Sequence, residues 1–149
     1  MNSRVVEVAA VAQVVGSVGM FGVIWIVQVV HYPLMRFVSG REFARFEAGH
    51  RMRISLVVGP LVAVEGVCVL AFLFAAPAGL IWWLPRAGAG AEAVAIGTTV
   101  LVSAPLHERL NAHVDPATLD RLIATNWIRT VAWTARGGLA IAMLVAVLR

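Results

Sequence analysis

The sequence predicts an all-α integral membrane protein, a single-domain four-helix bundle with short amphipathic connections. The chain has 149 residues and is 60% hydrophobic and 13% charged, whereas soluble domains are about 25% charged. Four apolar runs approach the roughly 20 residues that a helix needs to cross a bilayer. In the first and last of these runs the polar side chains share one helix face, which indicates that this face packs against protein.

The first span is predicted from Val5 to Val30. Its apolar stretch is too long for the core of a signal peptide and no small-residue cleavage site follows, so we expect it to be retained. Small residues at Gly16, Gly19 and Gly22 permit close helix contact, within the chain or in a homo-oligomer. One stripe of polar and medium-sized side chains is predicted to face protein: Gln13, Ser17, Met20, Ile24, Gln28, His31 and Met35.

The second span is predicted from Ile54 to Ala76 and carries Glu65 in its middle. The connection before it, Met35 to Arg53, has apolar Phe43 and Phe46 among charges at helical spacing. This pattern predicts a short amphipathic helix or an extension of the second span.

The third span is predicted from Ala89 to Leu106 and is the weakest, because Glu92 and several glycines dilute its start. The preceding stretch "GLIWWLPR" is typical of an interfacial turn. We expect Trp82 and Trp83 at the level of the lipid headgroups and a chain break at Pro85.

The fourth span is predicted from Trp127 to Leu148. Upstream of it, "DPATLDRL" indicates a helix start with Asp115 as the N-cap and Pro116 at the first helical position. We expect that helix to run directly into the fourth span. Its polar side chains again form one stripe that faces the interior of the bundle: Asn126, Arg129, Trp133 and Arg136.

Arginines predict the orientation of the bundle. The first and third connections hold seven of them: Arg36, Arg41, Arg45, Arg51, Arg53, Arg109 and Arg121. The opposite side carries only Arg4, Arg86 and Arg149. By the positive-inside rule, the first and third connections of this multi-pass protein lie in the cytoplasm and both termini lie outside the inner membrane.

Charges at mid-depth predict an ion pair. Arg136 lies roughly 13 Å past Trp127, and Glu65 lies roughly 16 Å past Ile54 from the same side, at 1.5 Å per residue. Because an unpaired charge at the centre of a bilayer is costly, we expect Glu65 and Arg136 to be in contact. The pair either locks the bundle together or belongs to a functional site.

Histidines mark the span ends on one side of the bundle. His31, His50 and His107 come from three helices at similar depth and are predicted to converge near Asn126 and Arg129. Converging imidazoles bind a transition metal, here copper or iron, or shuttle protons near pH 7. Taken singly, each is also explained as an interfacial histidine hydrogen-bonded to its neighbours. His113 is expected in a solvated loop.

Two function classes are set aside by composition. No basic run interleaved with aromatic residues is present, so nucleic acid is not expected as a partner. The single cysteine, Cys68, excludes an internal disulfide. The expected partners are the lipid bilayer and a lipophilic small molecule.

Four stretches resemble the anthrone-oxygenase-like group of small bacterial four-helix membrane proteins. They are "QVVHYPLM", "GPLVAVEG", "SAPLHERLNAH" and "TNWIRTVAWTARGGLAIAML". The resemblance covers most of the chain as a layout. The sequence departs from the group in its extra histidines at the helix ends and in Glu65 at mid-helix. Fungal relatives oxidise an anthrone to an anthraquinone, so the resemblance implies an oxygenase of lipophilic aromatic substrates.

Three functions follow from these patterns. The favoured one is a membrane-embedded oxidoreductase of a lipophilic aromatic or quinone-like substrate. Its catalytic residues would be His31, His50, His107, Asn126 and Arg129, and the substrate would lie against Gln28, Trp127 and Trp133. The alternatives are a small oligomeric proton- or ion-coupled transporter that uses Glu65 and Arg136, and an accessory membrane subunit.

Overall fold

The computed structural model describes residues 3–77 and 79–149 and consists of four long helices. Each is long and apolar enough to cross a membrane, and the predicted all-α four-helix bundle is confirmed. The helices are α1 (Ser3–Phe37), α2 (Gly40–Phe74), α3 (Trp83–Ala112) and α4 (Pro116–Val147).

The helices extend beyond the predicted spans, mostly at the histidine-bearing end. The amphipathic connection does not form a separate helix, because α2 already begins at Gly40 and is continuous for 35 residues. At 1.5 Å per residue this is roughly 52 Å, well above the ~30 Å hydrocarbon thickness. The polar first turns of α2 therefore project past the apolar part of the bundle.

Pro85 lies inside α3 and does not break the chain, contrary to the sequence-based prediction. It occupies the first turn of the helix that begins at Trp83. A proline is tolerated there because the first N–H groups of a helix have no partner within the helix. Trp82 and Trp83 are exposed beside it, as expected for an interfacial turn.

Asp115 caps α4 as predicted. Its carboxylate accepts hydrogen bonds from the backbone N–H groups of Ala117, at 3.2 Å, and Thr118, at 3.0 Å. The hydrogen bond from the Thr118 side chain, together with those backbone bonds, lowers the pKa of the exposed Asp115 carboxyl. The helix that starts here runs unbroken through the fourth span.

Two wide π-helical turns interrupt α1 and α3 at Val27–His31 and Thr99–Ser103. Each is followed two residues later by a proline, Pro33 in α1 and Pro105 in α3. A proline inside a helix lacks a backbone donor and clashes with the carbonyl four residues earlier, and a widened turn relieves this conflict. Such turns occur frequently at functional sites.

Around the bundle, α1 packs against α2 and α4, and α3 packs against α4. The contact between α2 and α3 is the least extensive of the four interfaces. A cleft between these two helices is consequently open to the side, where a bilayer would lie.

Apolar and polar layers alternate along the core. One apolar layer at the histidine-bearing end includes Phe43 and Leu122, a middle layer includes Met20 and Trp133, and a third near the termini includes Phe72. Buried polar side chains fill the two levels between them. The polar stripe of α4 is buried as predicted, and that of α1 is buried except at His31, which is partly exposed.

Candidate active site between the helices

The polar level at mid-depth is defined here as the mid-depth cluster, made of Ser17, Glu65, Glu92 and Arg136, one residue from each helix. The predicted contact is present, with Arg136 Nε 2.9 Å from Glu65 Oε2 and neither residue exposed to solvent. The contact is a buried ion pair. Ser17 Oγ donates a hydrogen bond to the same carboxylate oxygen at 2.7 Å.

Glu92 is a member of this cluster that sequence reasoning missed. Its Oε2 lies 3.5 Å from Arg136 Nε, and the residue is buried. In the sequence, Glu92 was interpreted only as a charge that lowers the hydropathy at the start of the third span. Its position 44 residues before Arg136 gave no indication that the two helices would place them at the same depth. Two carboxylates therefore face one guanidinium.

Glycines make room for this cluster. A Cβ atom at Gly16 would lie 2.8 Å from Glu65 Oε1, and one at Gly88 would lie 3.1 Å from Arg136 Nη1. The predicted close approach of α1 is thus confirmed at Gly16, and also at Gly19, where a Cβ would meet Leu61 at 3.0 Å. At Gly22 a Cβ would find nothing within 4 Å.

The second polar level, near the connections, is defined here as the rim cluster: Tyr32, Glu47, His31, His50 and His107. The ring centres of His31 and His50 are 4.1 Å apart and those of His50 and His107 are 5.6 Å apart. The predicted convergence of three histidines from three helices is therefore present. His113 lies apart from them, exposed in the turn before α4.

A hydrogen-bonded chain runs through the rim cluster. His107 Nδ1 is 2.5 Å from Glu47 Oε1, and His107 Nε2 is 2.8 Å from the Tyr32 hydroxyl. Sequence reasoning named His107 but missed both partners. The signals were the single tyrosine of the chain, within "HYPL", and the stretch "EAGH", which places Glu47 one helical turn before His50.

Arg129 is held at the same end of the bundle by a second series of side-chain hydrogen bonds. Its Nη1 donates to Asn126 Oδ1 at 2.9 Å, and Asn126 Nδ2 donates to Gln28 Oε1 at 2.8 Å. Arg129 and Tyr32 line the same cavity. The buried Nε of Arg129 has no hydrogen-bond partner among the described residues. Arg129 therefore retains donor capacity in an enclosed setting.

A cavity of about 430 Å³ lies between α2 and α3, with α1 and α4 as its floor. One end is polar and is formed by Tyr32, His50, His107 and Arg129. The walls are mostly apolar, and they include Met20, Ile24, Ile54, Val58, Val62, Ile96 and Trp133. Exposed Ser55, Gly59 and Ala104 line its mouth, so the cavity opens on the side of the bundle. Residues of both π-helical turns, Val27 and Thr99, also line it.

Four residues that were predicted to be catalytic or to bind substrate lie outside this cavity lining. Trp127 is 46% exposed and its ring meets that of Trp25 edge-on at 5.8 Å on the outside of the bundle. Trp127 therefore does not line this cavity. Gln28 and Asn126 are fully or almost fully buried behind Arg129 and hold it in place. His31 stacks on His50 and Phe46, away from the lining.

The suggested copper or iron site at His31, His50 and His107 receives no support from the geometry. Across residues 3–77 and 79–149, no group of three or more His, Cys, Asp or Glu side chains is arranged to hold a metal ion. The rings of His31 and His50 stack at an interplanar angle of 26°. Glu65 and His50 lie 15 residues apart on one helix, roughly 22 Å at 1.5 Å per residue, so they cannot share an ion.

Protein-family models, curated proteins and solved structures were compared with the chain, and none of the three comparisons gave a match.

Proposed function

We propose that this protein is a membrane-embedded oxygenase-like enzyme that takes a lipophilic aromatic or quinone-like substrate from the bilayer into the cavity between α2 and α3. The observation that carries the proposal is the cavity itself, with mostly apolar walls, one polar end and a mouth on the side of the bundle. Ligand sites are typically concave and mostly apolar, with a few convergent polar groups. This cavity has that composition.

The polar end supports binding of a substrate through an oxygen atom. Arg129 lines the cavity, and its buried Nε donor has no hydrogen-bond partner within residues 3–77 and 79–149. A preorganised donor of this kind stabilises negative charge that develops on a carbonyl or phenol oxygen. Trp133 also lines the cavity and supplies an aromatic side chain against which an aromatic substrate could pack.

The oxygenase chemistry is supported by the resemblance described above and by the acid–base groups at the cavity end. In such a reaction a methylene group and O2 give a carbonyl group and water. Removal of a methylene proton leaves an electron-rich carbanion with which oxygen reacts. Of the three histidines predicted to be catalytic, His50 and His107 line the cavity.

The orientation follows from the arginines of the first and third connections. We place the rim cluster toward the cytoplasm and both termini outside the inner membrane. Two of these arginines form exposed pairs between helix ends, Arg36 with Asp120 at 2.7 Å and Arg51 with Glu108 at 2.6 Å. Exposed ion pairs contribute only about 0–1 kcal/mol to stability. We therefore still count these two arginines in the positive-inside argument for the orientation.

A second candidate function, proton- or ion-coupled transport, is favoured by one observation. Glu65 and Glu92 together carry one more negative charge than Arg136 neutralises when both are ionised, and all three are buried. Intramembrane carboxylates of this kind occur in proton pathways. Flux into liposomes that E65Q abolishes without loss of the fold would favour transport over catalysis.

The enzyme proposal is tested by blocking the cavity. Val58 lines it, and neighbouring Val57 is exposed on the outside of α2. Purified variants in nanodiscs are given anthrone, and formation of anthraquinone is followed by absorbance against a protein-free control. We expect V58W to lower kcat/KM at least about tenfold and V57W to leave it within about twofold. An R129A protein that folds normally and keeps full turnover would contradict the proposal.

A further inference from the structure

His50 and His107 both line the polar end of the cavity, and His107 is not free to act on a substrate directly. His107 is enclosed between Glu47 on α2 and the Tyr32 hydroxyl on α1, with both ring nitrogens occupied. Glu47 has no solvent exposure and His107 is 9% exposed. Which side chain of the Glu47–His107–Tyr32 series can exchange a proton with a bound molecule therefore depends on the direction of these two hydrogen bonds.

That direction follows from donor and acceptor chemistry. A carboxylate oxygen of Glu47 accepts a hydrogen bond from Nδ1–H of His107. In this tautomer Nε2 is an acceptor, and the Tyr32 hydroxyl is its donor. The Tyr32 oxygen keeps its lone pairs, and Tyr32 lines the cavity.

Charge around the Tyr32 oxygen is arranged for proton transfer. Arg129 on α4 lines the same polar end of the cavity as Tyr32, and a cation there stabilises negative charge on the phenol oxygen or on a substrate oxygen. On the other side, the Glu47 carboxylate stabilises positive charge on His107, as the carboxylate does in a carboxylate–histidine dyad.

We propose that Tyr32 is the catalytic acid–base residue of this cavity and that His107 and Glu47 form its proton relay. The proposal rests on the proposed function, that a lipophilic substrate binds here. In the step, the substrate C–H bond breaks and its proton bonds to the Tyr32 oxygen. The Tyr32 hydroxyl proton passes to His107 Nε2. The electron pair stays on the substrate as an enolate whose oxygen faces Arg129, and His107 becomes an imidazolium beside Glu47.

The other histidines do not occupy an equivalent position. His31 and His50 contact each other ring to ring at 4.1 Å, and His31 stacks further on Phe46. The hydrogen-bonded carboxylate belongs to His107. Among the three, His107 alone has the pair of partners that a relay needs in the described part of the chain.

Variants of Tyr32 and His107 test the proposal by kinetics. Y32F removes one hydroxyl group and keeps the ring. H107Q keeps a hydrogen-bond acceptor but no basic nitrogen, and H113Q is the matched control because His113 is exposed outside the site. Anthrone affinity is measured in nanodiscs by equilibrium dialysis and turnover by anthraquinone absorbance, with thermal melting as a check on the fold.

We expect Y32F and H107Q to bind anthrone within about threefold of the wild type and to lose about 10²- to 10⁴-fold in kcat, the range for general acid–base groups. H113Q should match the wild type. A folded Y32F protein that retains turnover within about threefold would overturn the role of Tyr32.

A spectroscopic readout is independent of turnover. Because Tyr32 is the only tyrosine, protein grown with [13Cζ]tyrosine gives one signal that reports its hydroxyl. We expect H107Q and E47Q to shift this signal and H113Q to leave it unchanged. If the wild type neither binds nor oxidises anthrone, the proposed function is wrong for this compound and the signal decides on the relay. A shift in H107Q supports the relay, and an unchanged signal overturns it.

Discussion

Arg136 and Glu65 meet in the middle of the bundle, with Nε and Oε2 2.9 Å apart and no solvent exposure on either residue. Glu92 lies 3.5 Å from the same nitrogen, so two carboxylates share one guanidinium. A buried charge that loses its partner is strongly destabilising, whereas replacing one of two competing carboxylates is not. Substitutions of Arg136 and Glu92 are therefore expected to differ in their effect on the free energy of unfolding.

Removal of the shared cation is expected to be the most damaging change in the mid-depth cluster. R136Q leaves two carboxylates buried without a positive charge, so the free energy of unfolding should fall by about 3–5 kcal/mol. E92Q leaves one carboxylate with one guanidinium and should be at least as stable as the wild type. Unfolding in mixed SDS and mild detergent measures both, with exposed E42Q as the control. Wild-type stability of R136Q would contradict the account of the cluster.

A methyl group at Gly16 is expected to strain the packing of α1 against α2. Its Cβ would lie 2.8 Å from Glu65 Oε1, and Glu65 cannot move away because Ser17 and Arg136 hold it. G16A should therefore lower the free energy of unfolding by about 1–3 kcal/mol, the usual cost of overpacking.

The matched control for that change is G22A, whose Cβ would meet nothing within 4 Å. Alanine is the better helix former by roughly 1 kcal/mol, so G22A should be neutral or stabilising. The same unfolding assay applies. Equal melting of the two variants would show that Gly16 is not required for close packing.

The two tryptophans of α4 should differ in their effect on substrate binding. Trp133 is 1% exposed and lines the cavity, whereas Trp127 is 46% exposed and packs on Trp25 outside it. W133L should raise the KM for anthrone at least about tenfold, since an aromatic contact and much apolar area are lost. W127L should leave KM within about twofold. The reverse order would place the substrate on the outer face of α4.

The start of α4 should depend on pH through Asp115. Hydrogen bonds from Thr118 and Ala117 lower the pKa of this carboxyl in the folded protein. Its stabilising contribution is therefore complete above the unfolded pKa and is lost as pH falls through the lower folded pKa. Amide hydrogen exchange at Ala117 and Thr118, compared with the rest of α4 at each pH, should lose protection under acid. D115N, which still caps, should not show this acid step.

The fold followed from the sequence because membrane spans and polar stripes are local patterns. Spacing of three and four residues placed Arg129 and Arg136 on one face of α4, and both are buried. Depth counted along each helix was enough to pair Glu65 with Arg136. These arguments need only the rise and periodicity of a helix.

The contents of the site were harder to predict because they depend on how the helices are rotated and bent. Trp127 and Trp133 are six residues apart on α4 and face opposite environments. Glu47 reaches His107 only because α2 is helical well before the predicted span. The π-helical turns rotate the ends of α1 and α3, and the hydropathy pattern does not predict such turns. Tyr32 and Glu92 were missed for these reasons.

The most direct test of the central claim is to locate a bound lipophile. Anthraquinone abstracts hydrogen from neighbouring C–H bonds under near-ultraviolet light, so irradiation in nanodiscs followed by peptide mass spectrometry maps its position. We predict adducts concentrated on cavity residues such as Met20, Val58 and Ile96, and their loss in V58W. Adducts spread over lipid-facing residues such as Val67 and Leu101, and unchanged by V58W, would contradict the account.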